Sequence, residues 1–455
     1  MSSAWLAEAA ARRRQRVRIA VAASGAALSL GILACSHAPR SADGAERSAA
    51  LEHAVGAESP PFAQDVGARA RPIWRETRRF YQRHDFRLAW TDGRVARPAM
   101  DSLVRSLRAS AEEGLDPARY RVDALDAFRQ HVDPSKAADA DVECTWAFLL
   151  YAWDLTHGAT APEDVDRQWR SARGDVDLQA ALDDALTGNR VDESLHALAP
   201  TAPPYQGLRH QLSLRHGGQG DDDAERDQIR ANMDRWRWLP QRLGDRYVTV
   251  NIPAYRLDVV ENDRSVLAMK VVVGTKSNPT PVLADEMTTI VFSPYWNIPD
   301  DIAAKEIQPK VEQDPGYLDK HNMEYDAEGR HFRQRPGQGN SLGFVKFLFP
   351  NHFNVYMHDT PARSFFERVE RDFSHGCVRL ERPMELAKYV LRDRPEWTEE
   401  KIDAAMHRGV EQAVPLKTAL PVYLVYFTAW EENGELRTVP DLYGYDRRQL
   451  ARAVR

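Results

Sequence analysis

The stretch HDTPARSFFERVERDFSHGCVRL, residues 358–380, begins with a histidine that ends the apolar run NVYMH. Nineteen positions later it places a cysteine in a Ser-His-Gly-Cys turn. Cys377 is one of only three cysteines in 455 residues. A histidine at a strand end and a cysteine on a glycine-containing turn both stand on backbone that a sheet holds still, yet both can face a cleft. The thiolate is the reactive form of cysteine, and a free thiol is mostly protonated at neutral pH. An imidazole that takes this proton makes His358 and Cys377 a base and a nucleophile, held as an ion pair. Gly376 permits a tight turn whose N–H groups can point at a developing oxyanion. Arg379, always charged, suits a carboxylate of substrate or protein.

Three other readings compete. Cys377 can be a buried, inert cysteine beside surface histidines. His358, His375 and Cys377 can hold zinc, although a fourth ligand and close spacing are missing. Cys377 can also pair with Cys144 in a disulfide. A papain-like hydrolase fits less well, because there the cysteine precedes the histidine.

Outward from this stretch, the second half of the chain reads as strands. YVTVNIPAYRLDVVENDRSVLAMKVVVGT (247–275) alternates Val248, Val250 and Ile252 and turns at Glu-Asn-Asp. MTTIVFSPYWNIP, FVKFLFP, FNVYMH and LPVYLVYFTAW are further strand candidates, rich in Val, Phe and Tyr. Residues 300–342 form a long insertion, the kind of segment that often serves as a lid or binding loop. The first half is helical. Met100, Leu103, Val104, Leu107 and Ala111 share one face, with Gly114 as the stop, and DVECTWAFLLYAWDLTHG ends near Gly158. RHGGQGDDDAERD (215–227) breaks the composition and reads as a solvated linker.

The N-terminus has the order of a secretory signal: basic ARRRQRVR, then the apolar run IAVAASGAALSLGILA, then Cys35. The run is shorter than the ~18–20 residues that usually span a bilayer. Its end, GILAC, resembles a bacterial lipobox, in which the cysteine is lipidated and becomes the mature N-terminus. The expectation is a lipoprotein-type signal peptide over 1–34, lipidation at Cys35, and a membrane-anchored protein of the periplasm. In an exported chain an unpaired cysteine is either a buried filler or a working thiol. Elsewhere the composition is that of a globular protein, 43% hydrophobic and 28% charged. Its net charge of −6 offers no footprint for nucleic acid.

Taken whole, residues 358–380 resemble the signature of the L,D-transpeptidases, the YkuD-type catalytic domain. NMDRWRWLP, VVVGTKSNPTPV, FSPYWNIP, KEIQPKVEQDPGYL, SLGFVKFLFPN and YGYD are similar to the large periplasmic, YcbB-like branch. FYQRHDFRLAWTDG, EEGLDPARY and DLTHG are similar to its helical scaffold, so the resemblance spans about 74–446. It implies an α+β chain, with an all-helical scaffold domain followed by a mostly-β catalytic domain carrying a capping insertion. The boundaries are a flexible tether over 35–70, scaffold over 71–215, linker over 216–228 and catalytic domain over 229–455.

By position, the resemblance makes Cys377 the nucleophile and His358 its general base, oriented by the backbone carbonyl of Asp359. Ser374, His375 and Gly376 form the loop whose amides help build the oxyanion hole. Ser374, Arg379, Tyr295 and Trp296 fall to substrate binding, the last two at the base of the capping insertion. The implied chemistry needs no metal or cofactor. The thiol takes the acyl group of a peptidoglycan tetrapeptide stem, D-alanine leaves, and the amine of a second diaminopimelate resolves the thioester into a crosslink. Acylation by carbapenems is implied as well. The small peptidoglycan-binding module usual in that branch has no room here, which leaves lipidation to supply localisation. Two other outcomes stay open: a non-catalytic wall-binding scaffold protein, and hydrolysis of the thioester to give L,D-carboxypeptidase activity.

Overall fold

The computed structural model describes residues 42–62, 66–215 and 221–453. The expected signal peptide and Cys35 lie outside them.

The helical half comprises α1 (Ala42–Gly56), α2 (Ala70–Arg83), α3 (Pro98–Ala109), α4 (Val122–Gln130), α5 (Ala137–His157), α6 (Pro162–Val165), α7 (Leu178–Thr187), α8 (Val191–His196) and α9 (Pro203–Ser213). Its axis is α5, apolar on nearly every side, with Cys144, Phe148 and Ala152 fully buried. One α5 carboxylate organises the loop after α2. Asp141 accepts hydrogen bonds from the amides of Ala89, Trp90 and Thr91 and from the Tyr81 hydroxyl. The tether expected over 35–70 is corrected here. Leu51 and Val55, one helical turn apart in an alanine-rich segment, make α1 amphipathic and bury both side chains in the helical core.

The linker expected over 216–228 is also shorter than its composition suggests. Helix α10 (Asp221–Arg237) already starts within the acidic run, where carboxylates favour a helix N-terminus. The strands follow: β1 (Arg246–Asn251), β2 (Arg256–Glu261), β3 (Arg264–Gly274), β4 (Leu283–Phe292), β5 (Trp296–Asn297), β6 (Met323–Tyr325), β7 (Phe332–Gln334), β8 (Val345–Leu348), β9 (Met357–His358), β10 (Asp372–Ser374), β11 (Val378–Leu380), β12 (Gln412–Val425), β13 (Ala429–Glu432) and β14 (Glu435–Thr438).

The main sheet runs β10-β3-β11-β9-β8-β4-β12-β1-β2, and β2 pairs again with β3. The long β3 gives its first half to β2 and its second to β11 and β10, so the sheet closes on itself. Inward residues such as Val250, Val271, Ile290, Phe347, Met357, Val378 and Leu424 share one core with Leu386 of α11 (Pro383–Leu391) and Ile402 of α12 (Glu399–His407). The insertion after β5 has an apolar core of its own, Ile298, Ile302, Ile307, Met323 and Phe332, and a small sheet β5-β7-β6.

The two halves meet along α10. Asp234 accepts from the amides of Ala159 and Thr160, just after α5, and pairs with Arg237. Tyr205 of α9 donates to Glu113 and accepts from Arg237. Gly158, at φ +85° and ψ 155°, turns the chain where only glycine is comfortable, and a Cβ there would lie 2.5 Å from Trp238 Nε1. Gly158→Ala is expected to lower stability by about 2–4 kcal/mol, combining backbone strain with overpacking. Denaturant unfolding of the full chain measures this.

Candidate active site

The register of three strands assembles the site. On β9, His358 stands opposite Arg379 of the parallel strand β11 and opposite Lys346 of β8. The ladder continues one step further, where the Val378 amide donates to the Tyr356 carbonyl at 3.1 Å. Side chains alternate along extended chain, so Tyr356, His358, Cys377 and Arg379 come to one face while Met357 and Val378 point into the core.

His358 is 4% exposed. Its Nδ1–H donates to the Asp359 carbonyl oxygen at 2.5 Å, and since a carbonyl only accepts, Nε2 is left as the basic nitrogen. The Asp359 side chain locks that carbonyl in place. Its carboxylate accepts from the amides of Phe344 and Thr360 and from Arg363. Gly343 makes room for it, because a Cβ there would fall 2.3 Å from Asp359 Oδ2. Burial raises the Asp359 carboxyl above its ordinary value against these donors.

Cys377 is partly buried and free, as is the fully buried Cys144 of the helical core. Burial pushes the Cys377 thiol up to about 11, opposed by a Tyr356 amide hydrogen bond, the Arg379 charge and the Tyr356 hydroxyl. Burial pushes His358 down to about 3, and Arg379 acts in the same direction. Both shifts disfavour the thiolate–imidazolium ion pair expected from the sequence and favour a neutral thiol beside a neutral imidazole. The Arg379 side chain forms no ion pair or hydrogen bond among the described residues, and its Nε is buried without a partner. Its guanidinium lies 5.8 Å from the centre of the Phe365 ring.

The turn before Cys377 is tightly bonded. Gly376, at φ +115°, donates its amide to Ser374 Oγ at 3.1 Å, and Ser374 Oγ donates to the Cys377 carbonyl at 2.6 Å. Two expectations change as a result. The Gly376 amide is engaged inside the turn, whereas the His375 and Cys377 amides donate to no acceptor among the described residues. Ser374, 3% exposed with its hydroxyl bonded on both sides, shapes the turn and is closed to substrate. His375 meets Glu306 of the insertion, with Nε2 2.9 Å from the carboxylate, and no group of three potential metal ligands is found among the described residues. The three zinc candidates thus do not converge. Glu306 lies in a single π turn, Ala303–Ile307.

Tyr295 and Trp296 form no hydrogen bond or ring contact with Cys377, His358 or Arg379. Tyr295 lies under Arg333 at 4.3 Å, and Trp296 packs against the insertion core, so both anchor the insertion. Sequence reasoning missed Tyr356, although its alternation with His358 in NVYMH was a usable signal. It also missed the Asp359 carboxylate and Glu306, for which the sequence offered none.

Residues 245–403 match the L,D-transpeptidase catalytic domain, and residues 75–212 match the Scaffold domain that accompanies it. The site thus stands in an L,D-transpeptidase catalytic domain of the YkuD type behind a helical scaffold. A Haemophilus influenzae protein named for L,D-transpeptidase activity is 35% identical over 390 residues, covering 81% of this chain and 78% of that protein. The chain belongs to the L,D-transpeptidase family.

Among solved structures, an L,D-transpeptidase from Mycobacterium smegmatis overlaps 40% of this chain and 58% of its own at 14% identity and TM-score 0.24. An Enterococcus faecium L,D-transpeptidase overlaps 45% of this chain and 63% of its own at 11% identity and TM-score 0.19. The chain spans less than two thirds of the length of either.

A neutral resting pair has a spectroscopic consequence. The ultraviolet absorbance of the Cys377 thiolate, measured against Cys377→Ala, is expected to grow in only well above the ~8.5 midpoint of a free cysteine. A preformed ion pair would show it already in mild acid.

Proposed function

We propose that the protein is a peptidoglycan L,D-transpeptidase that works through a Cys377 thioester and joins two diaminopimelate residues directly. The observation that carries this reading is the convergence of Tyr356, His358, Cys377 and Arg379 on one face, with His358 held in its basic tautomer by Asp359.

Because thiol and imidazole both rest neutral, the proton passes to His358 Nε2 as sulfur bonds to the stem carbonyl carbon, not before. Two groups favour the charge that develops. The Tyr356 amide and hydroxyl pull the thiol's pKa down, and the Cys377 amide faces no internal competitor for the carbonyl oxygen. Collapse of the tetrahedral species expels D-alanine, its amine taking the proton from His358. The amine of a second diaminopimelate attacks the thioester, His358 accepts its proton, and the thiol is restored.

Arg379 is the donor's anchor in this scheme, as a cation without a carboxylate of its own. A substrate carboxylate on Arg379 also offsets the charge that depresses His358, which makes the base stronger when substrate is present. The insertion caps the cleft, and its Glu306–His375 contact brings it to the nucleophile turn. Export with lipidation at Cys35 and acylation of Cys377 by carbapenems complete the proposal.

Incubation with disaccharide-tetrapeptide, followed by mass spectrometry, tests it. The parent is expected to yield crosslinked dimer and a Cys377 adduct, and Cys377→Ala neither. Tripeptide alone would replace transfer by hydrolysis, and no product at all would leave a scaffold protein. His358→Ala is expected to lower turnover by about 10²–10⁴-fold, the usual contribution of a general base. Arg379→Ala is expected to act mainly on KM, raising it by roughly tenfold or more through loss of a charged hydrogen bond.

A further inference from the structure

The nucleophile turn is held from below by residues the mechanism does not use. The loop after β3, residues 274–280, lies against it, with the Thr275 amide donating to the Ser374 carbonyl at 3.0 Å. Thr280 is fully buried. Its hydroxyl accepts from the Gly274 amide and donates to the Gly376 carbonyl, both at 2.8 Å. It therefore fixes the peptide that joins Gly376 to Cys377, the peptide whose N–H faces the reacting carbonyl. Gly274 allows the loop to fold this closely, since a Cβ there would sit 2.1 Å from the Asn278 carbonyl oxygen.

A second residue holds Thr280. The Tyr443 hydroxyl donates to the Gly274 carbonyl at 2.6 Å and accepts from the Thr280 amide at 3.2 Å. Tyr443 lies forty residues beyond the end of the matched catalytic domain at residue 403. The segment that carries it is itself clamped. The Tyr426 hydroxyl accepts from the Tyr443 amide at 2.7 Å and donates to Asp441 at 2.8 Å. Two residues on, the Tyr445 hydroxyl donates to Asp166, in the helical half, at 3.0 Å, and its ring packs on Trp169.

We propose that Thr280 and Tyr443 are positioning residues for Cys377, and that the segment around Tyr443 is a strut tying the nucleophile turn to the helical scaffold. Neither touches substrate. Together they hold the Gly376–Cys377 peptide where its N–H meets the developing oxyanion, and they keep the thiol against Tyr356. The helical half is thereby a mechanical part of the active site. The positioning role rests on the transpeptidase reading, but the strut itself can be tested without it.

The test uses the full chain as parent, Thr280→Val, Thr280→Ser and Tyr443→Phe. Two quantities are measured: steady-state kinetics on disaccharide-tetrapeptide, and the rate of Cys377 alkylation by iodoacetamide against pH. Thr280→Val is nearly isosteric but lacks the hydroxyl, and is expected to cut kcat by about 10–100-fold with KM within about threefold, less than the ~10²–10³-fold of outright loss of an oxyanion-hole donor because the donor is displaced and not removed. Thr280→Ser restores the hydroxyl and is expected to return kcat to within about threefold of the parent. Tyr443→Phe is expected to fall between them.

A loosened turn also exposes the thiol, so the alkylation midpoint of Thr280→Val should move down toward the ~8.5 of a free cysteine. Parental kcat and alkylation profile in both Thr280→Val and Tyr443→Phe would overturn the proposal. So would a loss of kcat that matches the loss of folded protein by circular dichroism and is not recovered by serine. If the parent itself fails to turn over the tetrapeptide, the transpeptidase reading falls, and the alkylation profiles alone decide the strut.

Discussion

The parallel pairing of β9 with β11 is the constraint on which the rest depends. A strand of two residues, Met357 and His358, lies between β8 and β11 and sets base, nucleophile and cation in register. A slip of one residue would turn His358 into the core and Met357 into the cleft, since alternate side chains face opposite ways. The closed sheet guards against this. Met357 and Val378 lie in the same apolar core as Val271 and Phe347, so the burial that stabilises the barrel also fixes the catalytic register.

Burial has a second effect. The surroundings that hold the strands disfavour charge, which raises the thiol and lowers the imidazole from their ordinary values. A free thiolate is open to oxidation and to stray electrophiles. A neutral pair that ionises only as it reacts avoids much of that exposure, while Tyr356 supplies the donors that ease the step. Stabilisation is thus directed to the reacting state and withheld from the resting one.

The order of these elements was largely legible in the chain. The Val-rich alternation of 247–275 became β1 to β3, the apolar run 141–157 became the core of α5, and Cys377 and His358 came to one face as their strand-end positions suggested. What escaped reading has physical reasons. Leu51 and Val55 are two apolar residues in a segment of small and charged ones, too few to stand out until α1 meets its neighbours. The start of α10 hides in an acidic run that also suits a loop. Ser374, Gly376 and His375 carry side chains and amides suited to a cleft, yet the turn uses the first two internally and Glu306 takes the third. Contacts between residues far apart in sequence, such as Thr280 with Gly376, leave no local pattern.

The pairing of His375 with Glu306 also bears on how firmly the insertion is held. Both side chains are about half exposed, 47% and 46%, so water and dissolved ions compete for each partner. Polar contacts between two side chains this exposed contribute about 1 kcal/mol or less, comparable with thermal energy. Thermal motion is therefore enough to break and re-form the pairing. The insertion is thus joined to the nucleophile turn at this point by a weak, solvent-washed contact and not by a buried one.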